Sequence, residues 1–266
     1  MADPVPGGPI PSTGPRLGFL RFKLKMKIGA ALGFNLIDYP GKIAAVAFTP
    51  GCNYLCPHCH AAPLLASAKD IGEAGFFEYL GTVREWVTGV VICGGEPTLQ
   101  PDLIPFIERI RALNLAVKLD TNGSSPEVLA RLLAGGLVDY VAMDVKGPES
   151  LWPATAGVPG RAAAMRESMR LVARFPVYEF RTTVAPVVRD GGEISFFTVA
   201  EMAAAAKLII ETTGGPDHKY YVQKFVPRKN GLLDARLESF PETPFSLLQE
   251  IHAEVLKHIP NTQLRG

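Results

Sequence analysis

The sequence predicts an α/β protein built on a parallel sheet. Three observations carry this. Apolar, β-rich runs alternate six times with stretches of helical periodicity. The runs are apolar almost throughout, as strands covered by helices on a parallel sheet are. Residues that do not suit a core (Cys, His, Asp, Lys) gather at or just after the C-terminal ends of the runs, the edge where parallel sheets bind ligands.

Taken in order, residues 1–18 open with MADPVPGGPIPSTGP, which has no basic start and no apolar stretch, so it does not read as an export signal. A disordered Pro/Gly-rich arm is expected there, and a single domain over 19–266. Residues 19–34 read as an extended ribbon or hairpin with a solvated Lys face. Strands are expected at 43–49 (IAAVAFT), 89–93 (GVVIC), 115–119 (LAVKL), 138–145 (VDYVAMDV), 177–184 (VYEFRTTV) and 219–226 (KYYVQKFV). Helices are expected near 73–87, 101–113, 125–135, 160–174, 197–212 and 243–258. Right-handed crossovers follow from the alternation. Six such units make an open doubly wound sheet or a partial barrel. The cluster at 147–160, GPESLWPATAGVPG, reads as a loop.

The 266 residues are 47% apolar, enough for a sizeable core. Lys and Arg number 27 against 26 Asp and Glu, a net charge of +1 that argues against nucleic acid as a partner. No run approaches a membrane span, so no membrane partner is expected. Four unevenly spaced cysteines without an export signal point to a reducing cytoplasm and to free or metal-bound thiolates.

The stretch GCNYLCPHCH holds Cys52, Cys56 and Cys59 in a CxxxCxxC spacing. Three thiolates can hold three corners of a [4Fe–4S] cluster and leave the fourth iron open. Zinc held by the same cysteines plus His58 or His60 is the competing reading. Next comes CGGEPT at the end of the second strand. Gly94 and Gly95 admit close backbone approach. Their N–H groups suit a carboxylate and the Glu96 carboxylate suits an ammonium, the two ends of an amino-acid head group. DTNG (120–123), MDVK (143–146) and RTTV (181–184) end the next three strands, so these motifs share one sheet edge. Cys93 reads as a buried apolar thiol.

Read together, these motifs resemble the radical S-adenosylmethionine (SAM) enzymes, with Cys52, Cys56 and Cys59 as cluster cysteines and Gly94-Gly95-Glu96-Pro97 as the methionine-binding motif. The stretches 34–60, 140–148, 179–186 and 220–225 are similar to glycyl-radical-enzyme activating enzymes, above all the activating protein of anaerobic ribonucleoside-triphosphate reductase. The resemblance implies a partial (β/α)6 barrel with an N-terminal β ribbon, one [4Fe–4S] cluster and SAM. It implies SAM contacts from His58, Gly94, Gly95, Glu96, Asp120, Asn122, Asp144, Lys146 and Thr183. It also implies a monovalent-cation site at Asp120, Thr121 and Asp144 with the Ala142 carbonyl, and a contact from Asp38 to an incoming partner loop. His60 matches a family histidine, whereas Ala61 stands where asparagine is usual. The implied partners are a glycyl radical enzyme and a flavodoxin or ferredoxin electron donor. Two rival functions remain: a small-molecule radical SAM enzyme akin to 7-carboxy-7-deazaguanine synthase, and a non-catalytic zinc- or cluster-binding module.

Overall fold

The computed structural model describes residues 26–65, 70–157 and 161–266. The expected arm at 1–18 and the ribbon residues 19–25 lie outside the described residues.

The chain opens with β1 (Ala30–Asn35), which pairs antiparallel with β2 (Ala44–Thr49). Parallel strands follow: β3 (Gly89–Gly94), β4 (Ala116–Thr121), β5 (Tyr140–Asp144) and β6 (Tyr178–Val184). A small hairpin, β7 (Pro186–Val188) with β8 (Ile194–Phe196), stands apart from the sheet. The parallel sheet then resumes with β9 (Tyr220–Lys224) and β10 (Thr262–Arg265). The order is β1-β2-β3-β4-β5-β6-β9-β10, with no pairing between the two edge strands, so the barrel is partial. β10 and the β7/β8 hairpin were not expected from the sequence. TQLR is four residues long and three of them are polar, which gives a weak strand signal.

The helices are α1 (Ala62–Leu65), α2 (Gly72–Val83), α3 (Leu103–Ala112), α4 (Pro126–Ala134), α5 (Trp152–Ala156), α6 (Ala162–Val172), α7 (Val199–Thr213) and α8 (Phe245–Leu256). The longest, α7, starts in a capping box in which Thr198 and Glu201 satisfy each other's backbone N–H, and stops at Gly214. α5 corrects the expected loop at 147–160. Pro153 suits its first turn, Gly157 ends it at φ +68°, and the Trp152 indole donates to the Gly147 carbonyl at 2.9 Å. No helix among the described residues is long and apolar enough to cross a membrane.

The strands have two working faces. Ala45, Ala47, Val90, Ile92, Val117, Leu119, Val141 and Met143 point outward and pack under Phe76, Phe106, Leu129 and Met169 of the helices. Burying a side chain such as Phe106 contributes about 1.5–3 kcal/mol. The inward face is apolar on one side only, where Ala44, Val46 and Val91 meet Tyr39 and Tyr140. Elsewhere it carries the charged and polar residues of the site.

Candidate active site

The cysteine loop leaves β2 through Gly51. Its shape is held by backbone bonds: Cys59 N–H donates to the Cys56 carbonyl at 3.0 Å, and Leu55 N–H to the Ala156 carbonyl at 2.8 Å. Cys52, Cys56 and Cys59 are all free thiols facing one cavity of about 480 Å³. Two donors point at the Cys52 Sγ: the Tyr54 N–H at 3.4 Å and the Asn122 Nδ2 at 3.6 Å. Burial pushes all three thiols up, against the charge of Lys146.

The end of β3 lies against this loop. Gly95 N–H donates to the Thr49 carbonyl and Glu96 N–H to the Gly51 carbonyl, both at 2.8 Å. A Cβ on Gly95 would lie 1.8 Å from the Gly51 oxygen, so only glycine fits. The Gly95 amide is therefore not free for a ligand carboxylate, which corrects the expectation at that position, and the Glu96 amide holds the start of the cysteine loop. The Gly95 carbonyl, by contrast, has no donor among the described residues, so it can accept from an ammonium.

Glu96 also departs from expectation. Its side chain is fully buried and does not face the cavity. One oxygen accepts from Thr98 N–H (3.1 Å), Thr98 Oγ1 (2.6 Å) and Thr121 Oγ1 (2.7 Å); the other accepts from Asn122 N–H (2.6 Å). Burial raises this carboxyl above its ordinary value, and those donors oppose the shift. Glu96 is thus a brace between strand ends.

A chain of charge crosses the inner ends of β4, β5 and β6. Lys118 pairs with Asp120; Arg181 reaches Asp120 at 2.8 Å and Asp144 at 2.9 Å; Lys146 reaches Asp144 at 2.9 Å. Burial alone would raise the Asp144 carboxyl, but Arg181, then Lys146, hold it well below the usual carboxylate range. Asp120 is lowered in the same way by Arg181 and Lys118. The expected monovalent cation fits poorly here. The Arg181 guanidinium already sits between the two carboxylates, and Thr121 Oγ1 donates to Glu96.

Of the remaining expected residues, His58, Asn122, Lys146 and Thr183 all line the cavity. Burial, then Lys146, push His58 down to about 3, so its ring stays neutral. Asn122 joins the cysteine loop to β4 through Asn53, whose Oδ1 it meets at 3.0 Å. Thr183 Oγ1 accepts from Gln223 at 3.2 Å. His60 also borders the cavity, where its ring stacks on Phe225 and its Nε2 lies 2.8 Å from the Val226 carbonyl. Ala61 is beside it. Asp38 is at the mouth and holds Asn35 at 2.8 Å. The sequence reading missed Lys118, Glu179, Gln223 and Arg265, which also face the cavity. For Lys118 and Glu179 the signal is a charge inside an apolar run, two residues before Asp120 and Arg181; Gln223 and Arg265 carry no such signal.

Among the described residues, no three Cys, His, Asp or Glu side chains converge on one metal-ion point. Zinc held by three cysteines and a histidine requires such convergence. Thiols spaced around a multi-iron cluster do not.

A profile described as the radical SAM superfamily matches residues 46–191, more than half of the chain. The chain belongs to this superfamily. It is therefore a radical SAM enzyme, and the family implies one [4Fe–4S] cluster and SAM. A Methanocaldococcus jannaschii protein, named a glycyl-radical enzyme activating enzyme, is 30% identical over 91% of this chain and 97% of its own. A Thermococcus kodakarensis protein, named a GTP 3',8-cyclase, is 27% identical over 62% of this chain and 54% of its own. Among solved structures, SuiB of Streptococcus suis matches with a TM-score of 0.58 at 15% identity, over 83% of this chain and 48% of SuiB, a likeness of fold. The radical SAM cofactors fit what is present. Three free thiols share the cavity wall, two N–H donors point at a cysteine sulfur, and Gly95 borders the same cavity.

Proposed function

We propose that this protein is an activase that generates a glycyl radical on a partner enzyme. The supporting observation is the relative of that name, which matches this chain at nearly full length. The likeness of 34–60, 140–148 and 179–186 to the activating protein of anaerobic ribonucleotide reductase makes that reductase the proposed partner. A flavodoxin or ferredoxin donor and an anaerobic cytoplasm belong to the same reading.

When bound, the cluster and SAM supply a 5′-deoxyadenosyl radical that removes a hydrogen atom from the substrate. This chain's residues hold and orient. Cys52, Cys56 and Cys59 bind three irons. The Gly95 carbonyl accepts from the SAM ammonium, and Lys146 offers its charge to the methionyl carboxylate. His58, kept neutral, offers an aromatic face to the adenine, with Asn122 and Thr183 as polar neighbours. Arg181, Asp120 and Asp144 keep Lys146 in place. At the mouth, Ile37, Asp38 and Pro40 are positioned to meet an incoming loop.

The test is electron paramagnetic resonance of the reduced, SAM-loaded protein mixed with the ribonucleotide reductase from the same cell. A doublet from the partner's glycine supports the reading. No doublet, with turnover of a small substrate instead, favours the second reading, a small-molecule radical SAM enzyme. One observation supports that alternative: the barrel's inner face is charged well below the mouth, where Lys118 is 2% exposed.

A further inference from the structure

Below the SAM-binding edge, the inner face of the sheet carries charge that the proposed cofactor contacts do not use. The pairing register explains its place. Lys118 is opposite Tyr140, Ala142 opposite Glu179, and Arg265 opposite Gln223. Side chains two apart share a face, so Lys118 lies below Asp120 and Glu179 below Arg181, while Gln223 and Arg265 are level with Thr183.

Lys118 is 2% exposed and borders the cavity. A buried ammonium is costly unless its donors are matched. It has three donors, yet among the described residues only Asp120 accepts from it, and Asp120 is shared with Arg181. The Tyr140 ring, 5.6 Å from Nζ, adds one cation–π contact. Across the barrel Arg265 grips the buried Glu179 at 2.8 and 3.2 Å, with Gln223 3.3 Å away. Its guanidinium also stacks on Tyr221 at 3.6 Å.

Two of the three Lys118 ammonium donors are therefore without an acceptor among the described residues, on a side chain that borders the cavity. Asp38 borders the same cavity, where it accepts from Asn35 at 2.8 Å. Lys146, the other lysine there, is held by Asp144 at 2.9 Å and is the one assigned to SAM. Lys118 is thus the cation of the cavity with donors to spare.

We propose that Lys118, with Arg265 on the wall of the same cavity, forms a subsite for a carboxylate of the substrate. The enzyme would then select a substrate whose reacting carbon is near an acidic group. This rests on the reading that the cavity admits substrate beside SAM. The carboxylate has two sources: an acidic side chain on a partner's glycine-bearing loop, or a small organic acid.

The test uses anaerobically reconstituted, SAM-saturated protein without reductant, titrated calorimetrically with two matched pairs. One pair is the capped peptide acetyl-Ala-Gly-Gly-Asp-Ala-amide and its Asn counterpart; the other is succinate and succinamide. In at least one pair the acid should bind about tenfold more tightly than the amide. Preference in the peptide pair points to a protein loop, and preference confined to succinate points to a small molecule. Lys118→Met should abolish the preference, Lys118→Arg should retain most of it, and Arg265→Gln should reduce it. SAM affinity should stay within about twofold throughout. Equal binding of acid and amide, or a preference that survives Lys118→Met, overturns the proposal. So does a tenfold loss of SAM affinity in Lys118→Met, which would place this lysine in the SAM site. Failure of the activase reading gives a different pattern: no glycyl radical forms, while the succinate preference persists.

Discussion

The Glu96 carboxylate accepts the backbone N–H of Asn122 at 2.6 Å, and so fastens the end of β3 to the end of β4. Through Asn122 the same brace reaches Asn53 and Cys52. Replacing Glu96 by Gln puts an amide donor among groups that already donate. One buried donor is then left unmatched, at a cost of about 1–3 kcal/mol. Urea denaturation should show that loss, and iron uptake should fall with it. Unchanged stability would mean that the brace is dispensable.

Gly95→Ala tests the contact between the two motifs. The new Cβ would meet the Gly51 carbonyl, a backbone atom that cannot swing aside. Overpacking of this kind costs about 1–3 kcal/mol. The cysteine loop must shift to relieve it, so the variant should load less iron even where circular dichroism shows a folded chain. Gly81→Ala, in α2 with nothing within 4 Å, is the control and should load normally.

Arg181→Met removes the cation between Asp120 and Asp144. Breaking such a buried pair costs about 3 kcal/mol near neutral pH. The pH dependence has a definite sign. In the native protein Asp144 is held below its ordinary 3.8, so its contribution is present above that pH and is lost as pH falls below it. In the variant Lys118 and Lys146 remain but the largest opposing charge is gone, so both carboxyls move up from their native positions and the penalty shrinks as the solution is acidified below about pH 4. A penalty that stays constant between pH 7 and pH 3 would contradict the assignment. Because Arg181 occupies the place between the carboxylates, exchanging sodium for potassium should leave SAM affinity unchanged.

Single Cys→Ser changes at Cys52, Cys56 or Cys59 should each abolish cluster loading and leave the far-ultraviolet spectrum in place. Cys93→Ser should load iron normally, since that thiol packs with Phe48 and Ala116 against the inner core. Iron and sulfide analysis decides. Loading that survives loss of Cys56 would remove it from the ligand set.

Much of this was legible in the sequence because parallel strands announce themselves as apolar runs. Each of the six expected runs became a parallel strand, and each of the six expected helical stretches became a helix. The cysteine spacing and the strand-end motifs predicted a shared edge, and the site residues expected from them line one cavity, with Glu96 the exception. Glu96 was misread because a motif gives a residue's neighbourhood and not the direction of its side chain. The Gly95 amide suits a ligand by motif, yet the Thr49 carbonyl at the end of β2 takes it. Long-range pairing of this kind, over 44 positions in the case of Thr49 and Cys93, leaves no local pattern. Lys118 and Arg265 were overlooked for a related reason: inward direction follows from strand register, and β10 gave too weak a signal to be recognised.

The measurement that tests the central claim most directly is anaerobic reconstitution followed by reductive cleavage. The protein should take up roughly four irons and four sulfides per chain. With dithionite and SAM it should then release 5′-deoxyadenosine, and the Cys56→Ser variant should not. Stoichiometric zinc in place of iron, with SAM left intact by the reduced protein, would contradict the assignment of this cavity as a radical SAM site.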